Sequence, residues 1–206
     1  MKNSFSFERF SENFNDYFYQ RALKECNTSN KAKKDIVGAI FEGYRNDFIR
    51  SYAQLDLATP DEKRKILESY NRMFKPDQIV VHRKTRELLM FEEDKGHYVD
   101  KCFAKRALAN AIEVLWAAKN KGEKIPYFVL SCPTYYDVES LIRQMDYLQP
   151  AALRLLREKF KFFPLCEHGR TKRDRYLKGT DNPFKLNHKL CHDQHLFYES
   201  MGRTIT

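Results

Sequence analysis

Apolar positions along this chain repeat with two different periods, and the changes of period mark out its elements. Phe5, Phe7, Phe10, Phe14, Tyr17, Phe18 and Leu23 recur at spacings a helix tolerates and predict an N-terminal helix over residues 8–24, followed by a loop at 26–30. Val37, Ile40, Phe41, Tyr44, Phe48 and Ile49 form the apolar stripe of a second helix over 33–52. Thr59-Pro60-Asp61-Glu62 reads as a helix start. The threonine can cap, the proline suits the first helical position and the glutamate completes a capping box, so a helix is expected to run to about residue 73. The period then drops to two: residues 78–82 read as a strand, 83–86 as a polar turn, and 87–93 as the hairpin partner, which ends at Gly96.

A long helix is expected over 100–120, with Ala104, Ala107, Leu108, Ala111, Leu115 and Ala118 on one face. Its small residues allow it to lie close on a sheet, and Lys121-Gly122 stops it. Residues 125–131 read as a buried strand, and the helix-turn-strand connection suits a parallel crossover. Further helices are expected at 138–147 and 150–161, whereas the tail from Phe163 onward shows no clear period. With 206 residues and 42% hydrophobic content, the chain can build one domain with a core, with room for a small appendage. Gly and Pro number only 7 each and no segment repeats or is of low complexity, which excludes a wholly disordered chain. No segment reaches the ~18 apolar residues that span a bilayer. Residues 1–10 lack the apolar run of a signal peptide, and the 5 cysteines are odd in number and widely spaced, unlike a disulfide framework. A reducing, cytoplasmic setting is expected.

Charge adds a class of partner. The net charge of +9 points to a polyanion: DNA, RNA or an anionic membrane surface. Between Arg154 and Lys178 lie nine Lys or Arg and three acids, which is most of that surplus. Arg154, Arg157, Arg170, Lys172, Arg173, Arg175 and Lys178 are therefore the candidate phosphate contacts. Phe160, Phe162, Phe163 and Tyr176 are interleaved with them and can stack on bases or pack. A solvated charged helix is the plainer alternative.

The candidate chemistry sits on the predicted hairpin. Pro76-Asp77 opens its first strand and Glu93-Asp94-Lys95 closes its second. Alternation along the strand puts Leu89, Phe91, Glu93 and Lys95 on one face, the first two anchoring it and the last two presenting a carboxylate and an ammonium at its end. A hairpin returns the end of its second strand to the start of its first, so Asp77 is expected beside Glu93. Two carboxylates at one strand edge make an oxygen-ligand site for Mg²⁺. A metal there lowers the pKa of bound water and stabilises charge on a scissile phosphate, while Lys95 orients the water. On the preceding helix, Glu42 stands at the border of the apolar stripe, where an acid is either solvated or functional.

Pro76-Asp77 followed by Glu93-Asp94-Lys95 resembles the motif of the PD-(D/E)XK nuclease superfamily, which includes restriction endonucleases, Holliday-junction resolvases, repair nucleases and transposon end-cleaving proteins. The resemblance covers residues 33–132, about half the chain. It implies an α/β fold with a restriction-endonuclease-like α-β-β-β-α-β core, a mixed central sheet flanked by helices. Around it the chain divides into an N-terminal helical extension (1–32), the nuclease core (33–148) and a basic helical or irregular C-terminal extension (149–206). The implied activity is that of a Mg²⁺-dependent DNA endonuclease, with Mn²⁺ as a substitute and RNA the less favoured substrate, working in restriction, phage defence or mobile-element processing. Asp77 and Glu93 would hold the metal, Lys95 would help activate water, and Glu42 matches the helical glutamate that assists the metal in many members. Many such enzymes form homodimers or rely on a targeting partner protein; a membrane is not implied. The chain departs from the pattern at Asp94, where an apolar residue is common: a third acid either binds a second metal or faces water. Glu92 leaves the register open by one residue, and a slip would exchange the faces.

Other residues admit other chemistry. Cys166, His168, His188 and Cys191, with His192 and His195 nearby, are of zinc-binding types, but Cys-x-His is not the spacing of a standard finger, and a histidine-rich loop is the alternative. Cys132 reads better as a small buried residue than as a nucleophile, and His97 lies next to the candidate site. The rival to a nuclease is a non-enzymatic nucleic-acid-binding or assembly protein with structural zinc and an idle acid cluster.

Overall fold

The computed structural model describes residues 5–29, 33–70, 74–96, 98–99, 101–135, 148–166 and 184–201. The N-terminal helix comprises α1 (Phe7–Phe14), a π-helical turn (Asn15–Gln20) and α2 (Arg21–Thr28). Ser6 caps α1 by accepting from the Arg9 N–H. Then follow α3 (Lys33–Arg50), β1 (Leu55–Leu57), α4 (Pro60–Tyr70), β2 (Gln78–His82) and β3 (Leu88–Asp94). The second half contains β4 (Tyr98–Val99), α5 (Lys101–Asn120), β5 (Tyr127–Cys132), β6 (Thr134–Tyr135), α6 (Pro150–Lys159), β7 (Phe160–Pro164) and α7 (His188–Met201). The helix expected at 138–147 lies outside the described residues. No helix among those described is long and apolar enough to cross a membrane.

Five strands form one mixed sheet in the order β1-β2-β3-β5-β7, and β4 pairs with β6 beside it. β1, β2 and β3 are antiparallel neighbours. β3, β5 and β7 run parallel, so α5 makes the expected crossover. The hairpin register places Gln78 opposite Glu92 and Ile79 opposite Phe91. It then skips Leu89, because Val80 pairs with Met90 and Val81 with Leu88.

That bulge corrects one expectation. Leu89 does not share the face of Phe91; it packs with Val80, Met90 and Val129 beneath α3 and α7. Phe91 packs on the other side with Ile79, Phe128, Leu130 and the face of α5. An extra residue in one strand shifts all later side chains by one position, and simple alternation does not foresee it.

Local chemistry accounts for the elements that position the site. The capping box at α4 forms as expected: the Glu62 N–H donates to the Thr59 hydroxyl at 3.3 Å and the Thr59 N–H to the Glu62 carboxylate at 2.8 Å. Ala104, Ala107, Ala111 and Ala118 of α5 are buried, so the helix lies close on the sheet. Gly122 ends α5 at φ 67, a conformation that favours glycine. At Gly96 the chain leaving β3 passes so close to α3 that a Cβ would lie 2.7 Å from the Val37 carbonyl oxygen.

The boundary expected at 148/149 does not divide the sheet. β7 pairs along β5 from Phe128–Phe160 to Cys132–Pro164. Tyr198 and Met201 of α7 are buried against Val80, Met90 and Val129. The N-terminal helices likewise bury Phe10, Phe14 and Phe18 in one cluster with Val37 and Phe41 of α3 and with Leu165, Phe184 and Cys191.

Candidate active site

Two strand ends and two helices converge on an open pocket of about 550 Å³. The turn before β2 brings Asp77, the end of β3 brings Glu93 and Lys95, and α5 brings Arg106 and Asn110. The first turns of α3 bring Asp35 and Gly38. Asp77 precedes β2 with the parity of Ile79, so hairpin geometry carries it to the Glu93 side. Its Oδ2 accepts the backbone N–H of Asp94 at 2.6 Å, which locks the carboxylate to the end of β3. Glu93 is 7% exposed, and its Oε1 accepts from Asn110 Nδ2 at 3.2 Å.

Electrostatics place the two carboxylates within each other's field. Burial, and then the charge of Asp77, push the Glu93 carboxyl up to about 7, against the pull of Asn110, Arg106 and Lys95. Burial also raises Asp77, while the Asp94 N–H and the charge of Lys63 act to lower it. Lys63 of α4 donates its ammonium to the Pro76 carbonyl at 2.8 Å. The Lys95 ammonium lies 4.5 Å from the Phe103 ring centroid and the Arg106 guanidinium 4.8 Å from it, so one aromatic ring carries both cations at the pocket edge.

The opposite face of β3 is a buried ionic network. Arg45 of α3, fully buried, donates Nε to Glu92 Oε1 at 2.8 Å and Nη2 to the Tyr198 hydroxyl at 2.8 Å. Tyr198 in turn donates to Glu92 Oε2 at 2.5 Å. Burial works against the Arg45 charge, yet Glu92, Tyr198 and Asp94 outweigh it and raise its pKa. The register left open by Glu92 is thereby decided: Glu92 faces Arg45 and Glu93 faces the pocket. Asp94 borders the pocket but departs from one role expected of it. Its side chain is 2% exposed and 3.7 Å from Arg45, so it does not face water. Burial, and then Glu92, raise its carboxyl well above the ordinary range, against the pull of Arg45.

The other expected residues fall in several places. Glu42 is partly buried and feels Asp77: burial and then that charge raise its carboxyl. It stands near the pair without lining the pocket, whereas Asp35, two turns earlier on α3, does line it. Arg154 and Arg157 are exposed on α6 and are not among the pocket residues. Arg170, Lys172, Arg173, Arg175, Lys178, Tyr176, His168 and His97 lie outside the described residues. Cys166 and Cys191 are buried in the N-terminal cluster, where the Cys191 thiol faces the Leu165 carbonyl oxygen at 3.6 Å and burial pushes its pKa up to about 12. His188 instead packs on the Phe5 and Phe7 rings. Cys132 is fully buried and burial raises its thiol well above the ordinary value, which suits packing. Among the described residues no three His, Cys, Asp or Glu side chains form a metal-holding group.

Arg106 and Asn110 were not singled out from sequence. They are one turn apart on α5, flanking the apolar stripe, and that spacing is the signal that could have marked them. No family model matches the chain, and no curated protein or solved structure matches it significantly.

Proposed function

We propose that this chain is a Mg²⁺-dependent DNA endonuclease of the PD-(D/E)XK type, with Asp77, Glu93 and Lys95 as its catalytic centre. The observation that carries the reading is the meeting of two carboxylates from adjacent strand ends, with a lysine and an arginine, in one open pocket. The order α3-β1-β2-β3-α5-β5 supports it, since it parallels the resembled core with α4 added between β1 and β2. The donor set fits the metal. Asp77 and Glu93 offer hard oxygen ligands, and their mutual repulsion favours a cation between them. Mg²⁺ usually takes one or two carboxylates and completes its shell with water and substrate phosphates, so two acids suffice. When bound, it would supply an activated water and neutralise phosphate charge.

The chain's own groups would do the rest. The Asp94 N–H and the Asn110 amide hold the two carboxylates in place. Lys95 orients the attacking water, and Arg106 offsets charge on the phosphate. The substrate is DNA in preference to RNA, and the setting is restriction, phage defence or mobile-element processing.

Supercoiled plasmid incubated with Mg²⁺ or EDTA tests the reading, with Glu93→Ala and Lys95→Ala alongside. The wild type should nick or linearise the plasmid with Mg²⁺ alone, and each variant should lose roughly 100-fold or more in rate. Equal cutting by all three proteins would remove the assignment.

A further inference from the structure

The active pocket does not end at its own rim. Lys75, exposed just before β2, also lines a second groove of about 550 Å³ along α4. Pro60 and Leu67 give that groove apolar wall, and Lys63, Arg64 and Lys75 give it three cations against the single acid Glu68. Lys63, on the groove wall, donates to the Pro76 carbonyl at 2.8 Å and the Asp77 carbonyl at 3.4 Å. Arg64 is exposed, held loosely by Asp61 one turn earlier at 3.0 Å. α4 is also the helix that the resembled core lacks between its first two strands.

We infer that the nucleic-acid strand reaching the Asp77–Glu93 pocket lays its sugar–phosphate backbone along this α4 groove. Arg64 and Lys75 contact phosphates beside the scissile one, and Pro60 and Leu67 pack against sugars. The inference rests on the nuclease reading of the pocket. Its ground is chemical complementarity: three cations beside apolar wall, in a groove that shares Lys75 with a pocket holding further cations at Lys95 and Arg106, match a polymer of alternating phosphate and sugar. It moves the primary contact away from the basic segment at 154–178. The contacts are to backbone, so they position the strand without reading its sequence.

Binding of a fluorescein-labelled DNA duplex in EDTA, where metal-dependent cutting is blocked, tests this. Anisotropy is followed over a salt series for wild type, Arg64→Ala, Lys75→Ala and the double variant. Each single change should weaken binding severalfold and reduce the slope of log K against log salt by about 1, and the double by about 2. Both residues are exposed, and thermal unfolding should be unchanged. Wild-type slope and affinity in the double variant would overturn the groove while leaving plasmid cutting, and so the nuclease reading, intact. A reduced slope without any Mg²⁺-dependent cutting would sustain the groove and remove the nuclease. A wild type that binds no duplex would overturn the groove outright.

Discussion

Burial and the charge of Asp77 hold the Glu93 carboxyl near 7, so its proton is exchanged close to neutrality. In the unfolded chain the same group titrates near 4.5. Between those values the folded protein binds more protons than the unfolded one. Metal-free stability therefore falls as pH rises through the window and levels off above about 7, by on the order of 3 kcal/mol from this group. Asp77, also raised, acts in the same direction. A divalent cation takes the deprotonated pair, so its binding should tighten about tenfold per pH unit up to about 7 and then plateau. The rise in melting temperature on adding Mg²⁺ should accordingly be larger near pH 8 than near pH 5.5, and Glu93→Gln should abolish the difference; equal rises at both pH values would refute it. Asn110→Ala removes a hydrogen bond that favours the Glu93 charge, so the midpoint should move up in pH, as read from the same titration. At this scale the sequence made much of the site legible, because Asp77, Glu93 and Lys95 lie on one hairpin whose period is plain. The destinations of Glu92 and Asp94 were not legible. Their partner Arg45 is 47 positions away from Glu92, and no local pattern announces a buried guanidinium.

Three elements meet at that guanidinium: α3 brings Arg45, β3 brings Glu92, and α7 brings Tyr198. All three side chains are fully buried. Removing one partner from such a network leaves the other charge uncompensated, and this costs more than the intact pair contributes. Arg45→Met should therefore destabilise the protein by roughly 3–5 kcal/mol. Tyr198→Phe deletes hydroxyl contacts and leaves the ion pair, for roughly 1–3 kcal/mol. Urea unfolding would measure both, and similar losses would mean that the charge is not what matters. The same network backs the end of β3, whose Asp94 N–H holds Asp77, so Arg45→Met should also slow cutting. Elements with clean periods, the hairpin and α3 to α5, could be read from sequence. β1, β7 and α7 could not. β1 is three residues long. β7 mixes Lys161 among aromatics. α7 presents Cys191, Gln194, Tyr198 and Met201 to the core at helical spacing, but half of that stripe is polar or weakly apolar.

At the scale of the whole molecule, the three apolar clusters among the described residues share elements, and this sets how it unfolds. Phe14 of α1 is fully buried, with its ring edge-on to Tyr44 of α3 and to Phe184 near α7. Phe48 of α3 packs at once against the N-terminal cluster and the one beneath the sheet. The chain's one tryptophan, Trp116, packs on the far side, against the cluster of α5 and the sheet. Separate N-terminal and C-terminal units would melt apart from the sheet; one interlocked core melts together. Coincident transitions are the rule for small single domains and are less assured at 206 residues, so the comparison discriminates. Phe14→Ala should cost roughly 3–5 kcal/mol. The far-UV circular dichroism midpoint and the Trp116 fluorescence midpoint should then fall by the same amount, although the tryptophan lies across the sheet from the mutation. A Trp116 midpoint that stays in place while the dichroism midpoint falls would mean that the N-terminal helices unfold on their own, as the sequence boundary near residue 32 suggested.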